Sequence, residues 1–226
     1  MNYDWSFARL APYWKAFAAG TMVTLELTAI VILVGTLLGV SLGFIATRRV
    51  GKVVSYPIID ILRALPPLVL ILFMYYLLTR QVIGVTVPAF WVAAAAMSLN
   101  LAAFTADLVR SAIENVPHGV VEAGRALGMS GRQLTIHIVM PHIARELMPA
   151  MTALYIGMLK VSSLASVINV REVVYTAQTV IADISRSLEA WIVVGLIYVV
   201  LVVPSTYALR KLERWNNQTR PGQEHA

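Results

Sequence analysis

The stretch FAAGTMVTLELTAIVILVGTLLGVSLGFIAT, residues 17–47, carries a single charged side chain, Glu26. A helix needs about 20 mainly apolar residues to cross about 30 Å of hydrocarbon, so this segment reads as a membrane span. Four further apolar blocks follow, at residues 56–78, 88–109, 143–168 and 190–209. The second contains Arg63, Pro66 and Pro67, and the fourth contains Pro149 and Lys160. The third is alanine-rich and the fifth is uninterrupted by charge. The chain therefore reads as one all-α integral membrane domain over residues 1–226, with about five transmembrane helices.

Composition agrees. Of 226 residues, 58% are hydrophobic and 13% charged, with a mean hydropathy of +0.73. Soluble domains carry about 45–50% apolar and about 25% charged residues, and a soluble globule of this size could not bury the excess. Disordered and collagen-like classes are excluded on the same grounds. The absence of cysteine removes disulfide frameworks, thiolate metal sites and a Cys nucleophile. Residues 1–15 include Asp4 and lack a short apolar core ending in small residues, so they do not read as a signal peptide.

The formal charge of +6 would suggest nucleic acid in a soluble protein. Here the basic residues flank apolar blocks, and no nucleic-acid partner is expected. Eleven of them lie on one side: Arg48, Arg49, Lys52, Arg110, Arg125, Arg132, Arg145, Arg210, Lys211, Arg214 and Arg220. Five lie on the other: Arg9, Lys15, Arg80, Arg171 and Arg186. Positive charge concentrates in cytoplasmic connections, which puts the N-terminus outside and the C-terminus in the cytoplasm. Trp5, Trp14, Trp91, Trp191 and Trp215 mostly fall near span ends, as interfacial anchors do. Membrane lipid is thus an expected partner. The polar tail 219–226 is expected to fray.

Gly35, Gly39 and Gly43 recur every four residues and share one helix face. Small residues admit a second backbone closely; the face reads as a packing seam within the chain, with a subunit interface as the alternative. Polar residues inside spans are candidates for a solute path because charge at membrane depth is costly: Asn100, Asp107, Lys160, Ser162 and Ser163. Asn100 and Asp107 are seven apart and so face the same way. The structural alternative pairs Asp107 with Arg110 and uses Lys160 to cap carbonyls or meet an acid. Arg63 is three residues from Asp60, a spacing that suits a local ion pair. His118, His137 and His142 lack metal-ligand spacing and a completing Glu or Cys, so no metal site is expected. No nucleophile–base set is visible either.

One connection is long. Residues 115–141 read NVPHGVVEAGRALGMSGRQLTIHIVMP, a short amphipathic helix stopping near Gly128 or Gly131. A long structured connection in a compact domain is usually functional. On composition alone, an amphipathic helix lying on lipid is the competing reading. Glu122-Ala123-Gly124, Gly128 and Ile138-Val139-Met140-Pro141 resemble the EAA loop of ABC-importer permease subunits, with Gly124 for the second alanine and Met140 for the leucine.

Leu99-Asn100, Ala103 to Asp107 and Leu108-Val109-Arg110 resemble the third span of the polar amino-acid uptake permeases, and Asn115 to Gly119 the lead into their loop. Lys160 to Ile168 resembles their Lys-Asp-Thr-Ser-Leu-Ala-Ser segment, and Arg171-Glu172 the charged stop after it. The likeness covers roughly residues 20–215. It implies a type I ABC-importer permease of the bacterial cytoplasmic membrane, histidine/glutamine/arginine type, with a cytoplasmic coupling helix between spans three and four. It also implies the partners: two copies of an ATPase, a second permease chain (different or identical) and an extracytoplasmic binding protein.

The resemblance makes Glu122, Ala123, Gly124, Leu127, Gly128 and Met129 the residues that meet the ATPase. The chain has no G-x-x-x-x-G-K-[ST] loop, so ATP and Mg²⁺ would sit on that partner and this chain would bind no cofactor. Three positions depart from the family: Val161 stands for an aspartate, Ala153 for an asparagine, and Arg63-Ala64-Leu65-Pro66 for Arg-Gly-Thr-Pro. They suggest the less ligand-engaged half of a heterodimer. Two other classes compete. An ion-driven secondary transporter would need acids deep in spans, and span five has none; a non-transporting scaffold would leave the loop motif unexplained.

Overall fold

The computed structural model describes residues 3–78, 84 and 86–218; Arg80 and the tail 219–226 lie outside them. Among the described residues, all regular structure is helical. A 3₁₀ segment Phe7–Tyr13 leads into α1 (Trp14–Ala46), followed by α2 (Arg49–Ala64), α3 (Pro67–Leu77), α4 (Ala89–Glu114) and α5 (His118–Ala126). Then come α6 (Gly131–Leu134), α7 (Met140–Val161), α8 (Val173–Ile184) and α9 (Ser187–Gln218). Among the described residues, four helices can cross a membrane by length and composition, and α2 with α3 make a fifth if the bent pair counts as one span.

The centre of the bundle is α4. Ala93, Ala96, Ala103 and Ala106 are fully buried, and their small side chains let neighbouring backbones approach. Its main partner is α1. The glycine seam lies against α4: a Cβ built at Gly35 would meet Leu101, one at Gly39 would meet Thr105 and the Ala102 carbonyl, and one at Gly43 would meet Val109. The opposite face of α1 presents Met22, Leu33 and Leu37, each more than half exposed. Thr21, Thr24 and Thr28 donate to carbonyls four residues back, which satisfies hydroxyls where no water is at hand.

Span two differs from the expectation of one crossing at residues 56–78. It is two helices meeting at 106°. Pro66 and Pro67 cause the break: Leu65, preceding proline, is extended at ψ 127°, and Pro66 follows at ψ 136°. Pro67 then starts α3, where a missing N–H costs nothing.

Span four begins earlier than residue 143. A helical run extends from Gly131 to Ile168, interrupted by a π-turn at Thr135–Val139 and ending in the 3₁₀ segment Ser162–Ile168. Pro141 accounts for the π-turn, because its ring and missing N–H disrupt the bond to the carbonyl four residues back. Between the apolar blocks at 143–168 and 190–209 lies α8. It is capped by Glu172, whose carboxylate accepts the Tyr175 N–H at 2.8 Å. At 12 residues it is too short to register as a crossing.

The N-terminal segment closes over the start of α9. Glu189, fully buried in the first turn of that helix, accepts from Tyr3 Oη at 2.5 Å and Ser6 N–H at 3.0 Å. Arg186 lies 3.6 Å from the same carboxylate and donates to the Asp4 carbonyl.

Candidate functional site

The connection between α4 and α7 is a rigid, doubly capped unit. Helix α5 starts after Pro117 and ends at Gly128 with φ +77°, a left-handed conformation that favours glycine. Met129 N–H donates to Gly124 O at 3.1 Å and Gly128 N–H to Arg125 O at 2.9 Å; the pair is a Schellman motif that satisfies the end carbonyls. Ser130 then caps α6 in a reciprocal box with Gln133. A small cluster of Ala112, Val116 and Ile143, with Val121 and Val139 against it, packs α5 onto the end of α4 and the start of α7.

The residues expected to meet an ATPase divide. Glu122, Ala123 and Gly128 are exposed, Leu127 is 83% exposed, and Met129 is half-buried. Gly124 is a correction. It is buried, and a Cβ there would lie 2.5 Å from Leu134 and 2.8 Å from Ile138. Its smallness serves packing of α5 within the chain, so it offers nothing to a partner. Val120, half exposed, lies on the same outward face as Ala123 and Leu127 by helical spacing. Nearby, a His137 ring nitrogen is 3.0 Å from the Gln133 carbonyl, and His142 is 3.9 Å from Glu146.

Asn100 and Asp107 share a face of α4 as the spacing requires, but α2 covers that face. Asn100 is 1% exposed and donates to Leu62 O at 3.4 Å. Asp107 lies 2.7 Å from Arg63 and 2.6 Å from Arg110. Arg110 continues to Glu114 at 2.7 Å, and Tyr56 donates to Glu114 at 3.2 Å. Both residues are engaged in helix pairing here, and for Asp107 the pairing with Arg110 is the structural alternative expected from the sequence. Arg63 reaches Asp107, not the expected Asp60, because its side chain turns inward onto α4, over the Phe104 ring.

Asp107→Ala would leave two guanidinium groups without their shared anion. Breaking a fully buried pair costs about 3–5 kcal/mol; with Arg63 35% and Asp107 21% exposed, screening reduces the expected loss to about 2 kcal/mol. The thermal midpoint of the purified chain in detergent should fall accordingly. An unchanged midpoint would show that the cluster adds nothing.

Lys160 and Ser163 line a cavity of about 420 Å³ with Val174, Tyr198 and valines of α9. Ser163 Oγ donates to Lys160 O at 2.8 Å, and the fully buried Ser162 donates to Leu159 O at 2.7 Å. Lys160 caps no carbonyl and meets no acid among the described residues. Val161 packs into the main apolar core, so the site lacks an acid there. Two polar groups escaped the sequence reading. Among the described residues, the buried Tyr198 Oη and Glu172 Oε2 find no hydrogen-bond partner. Glu172 looked like a charged stop, and Tyr198 like one more residue of an apolar span.

Residues 14–218 match the family model described as "Binding-protein-dependent transport system inner membrane component". The chain is 28% identical to the glutamine transport system permease protein GlnP of Escherichia coli (strain K12), over 95% of this chain and 98% of that protein. It is 30% identical to the arginine transport system permease protein ArtQ of Bacillus subtilis (strain 168), over 95% and 97%. Among solved structures it superposes on an amino acid ABC transporter crystallised with histidines, with TM-score 0.86, 29% identity, and coverage of 95% of this chain and 99% of that one. The inward-facing MetNI methionine transporter shares the fold at TM-score 0.77 and 22% identity, over 92% and 99%. Capped loop, helix order and matched length agree: the chain belongs to the inner-membrane components of binding-protein-dependent transport systems, as a multi-pass permease subunit.

Proposed function

We propose that this chain forms half of the membrane pathway of an importer for polar amino acids, driven by ATP hydrolysed on two copies of a separate subunit that dock on α5. The observation that carries the reading is the exposed face of Glu122, Ala123 and Leu127 on a helix whose other face, at Gly124, is packed into its own chain. A rigid lever so placed passes a push to α4 and α7 together, and the spans rock between inward- and outward-open states. The loop faces the cytoplasm and the N-terminus the exterior, following the distribution of basic residues. ATP and Mg²⁺ belong to the docked subunit.

Relatives named for glutamine and arginine transport support an amino-acid substrate. In this chain Lys160 and Ser163 are suited to its carboxylate, with Ser162 as a buried support. With Val161 in the apolar core, there is no acid at that position to receive the ammonium. The chain is then the less ligand-engaged member of a heterodimer, and the second permease chain and an extracytoplasmic binding protein supply the remaining recognition.

Purification in mild detergent of this chain expressed with a candidate ATPase and second permease tests the assembly. The expected result is co-elution of the ATPase and ATP-dependent amino-acid uptake once the complex is in proteoliposomes with its binding protein. A chain that retains no ATPase, in vesicles without ATP-dependent uptake, overturns the reading.

A further inference from the structure

A groove of about 680 Å³ opens beside the N-terminal segment. Phe7 and Leu10 of the 3₁₀ segment form its end, α1 from Trp14 to Thr21 one wall, and α9 from Val193 to Leu201 the other. Apart from the Trp14 indole, the lining side chains are hydrocarbon or phenyl, with Thr21 as the one hydroxyl. That hydroxyl already donates to the Phe17 carbonyl at 2.7 Å. A polar solute would find nothing to bond to inside, so the occupant is apolar.

Depth decides what kind of apolar group fits. Helices α1 and α9 run side by side in the same direction, since the next hollow along their seam joins Leu25 and Ile32 to Ser205 and Leu209. At about 1.5 Å per residue the two walls are each about 10–12 Å deep. One leaflet of a ~30 Å hydrocarbon core is about 15 Å thick. Below Thr21 the seam is entered by Tyr155 and Leu159 of α7, which ends the groove within that leaflet. A transmembrane helix of another chain is about 10 Å across and needs a face through both leaflets. An acyl chain stays in one.

Charge at the mouth favours a particular headgroup. Arg9 and Lys15, each next in sequence to a lining residue, are exposed and meet no carboxylate among the described residues. The Lys15 ammonium lies 5.7 Å from the centre of the Trp14 ring, whose N–H is a donor of the kind that sits at headgroup level. The acids at this end are already engaged: Asp183 accepts from Tyr13, Glu189 from Tyr3 and Ser6, and Asp4 lies 3.9 Å from Arg186. Those bonds also pin the 3₁₀ segment at both ends, so the rim is in place before a ligand arrives.

We propose that this groove binds one anionic phospholipid, with an acyl chain between α1 and α9 and the phosphate at Arg9, Lys15 and the Trp14 indole. The site lies apart from the coupling helix and from the cavity at Lys160, and it does not depend on the transport reading above.

The test uses the full chain with the subunits that co-purify with it, stripped of lipid in mild detergent. Phosphatidylglycerol and phosphatidylcholine with the same acyl chains are titrated in, and native mass spectrometry counts the lipids retained. The wild type should hold one phosphatidylglycerol at least tenfold more tightly than phosphatidylcholine, since each basic residue beside an anionic headgroup is worth about fivefold. Arg9→Gln combined with Lys15→Gln, both at exposed positions, should bring the two lipids within twofold. Ala18→Trp, exposed on the groove wall, should weaken retention of both at least tenfold. Ala18→Cys gives this cysteine-free chain a single thiol, and a benzophenone attached there should crosslink to phospholipid. Equal retention of the two lipids by the wild type overturns the proposal, as does an undiminished preference in the double glutamine variant. Retention unchanged in Ala18→Trp puts the lipid elsewhere and overturns it too. A crosslink from position 18 to a second protein chain gives the groove to a subunit and overturns it by another route.

Discussion

Glu122→Lys is expected to lower ATP-driven uptake more than tenfold with the chain still folded and inserted. The side chain is exposed and, among the described residues, has no partner in its own chain, so its replacement should change stability by less than about 0.5 kcal/mol. Charge reversal at a docking face adds repulsion as well as removing a contact. Gly128→Val probes the same element through its backbone. A Cβ at Gly128 meets no atom within 4 Å, so the whole effect comes from φ +77°, where an L residue pays about 1–2 kcal/mol. The Schellman cap should loosen, the end of α5 should fray, and uptake should fall while ATPase activity persists uncoupled. Proteoliposome uptake beside ATP hydrolysis measures both variants. Wild-type coupling in the two of them would eliminate α5 as the lever.

Gly39→Val is expected to prevent accumulation of the folded chain. A Cβ at this position lies 2.5 Å from Thr105 Cβ and 2.7 Å from the Ala102 carbonyl oxygen. The second contact is backbone on a fully packed helix, so α1 and α4 would have to separate. Overpacking costs about 1–3 kcal/mol and occasionally more; a β-branched group against backbone belongs at the upper end. Gly157→Ala is the matched control, because a Cβ there has open space. Membrane abundance and the thermal midpoint in detergent compare the two. Equal behaviour of the two variants would mean that the seam tolerates spreading and that the tight approach of α1 to α4 is dispensable.

The glycine seam illustrates what periodicity can and cannot decide. Four-residue spacing puts Gly35, Gly39 and Gly43 on one face whatever the tertiary structure, but a seam within the chain and a seam between subunits have the same spacing. Only the positions of Leu101, Thr105 and Val109 assign the face to α4. Asn100 and Asp107 repeat the lesson with a different outcome. Their common face follows from helical geometry; that it turns to α2 follows from the proline-driven bend, which brings Arg63 and the Leu62 carbonyl onto it. Gly124 was legible as part of a motif, yet its inward orientation depends on Leu134 and Ile138, which return over α5 after the Ser130 cap.

What the sequence determined by itself was local: the apolar crossings and the amphipathic helix between the third and fourth, with its stop near Gly128. Hydropathy and helix-stop signals act over a few residues, so their effects are readable without a partner segment. Tertiary structure alone decided the insertion of α8, the ion cluster around Asp107, and the cavity beside Lys160. Each of these depends on side chains brought together from distant parts of the chain. Arg63 meets Asp107 only when α2 packs against α4, because no local rule brings together residues so far apart in sequence.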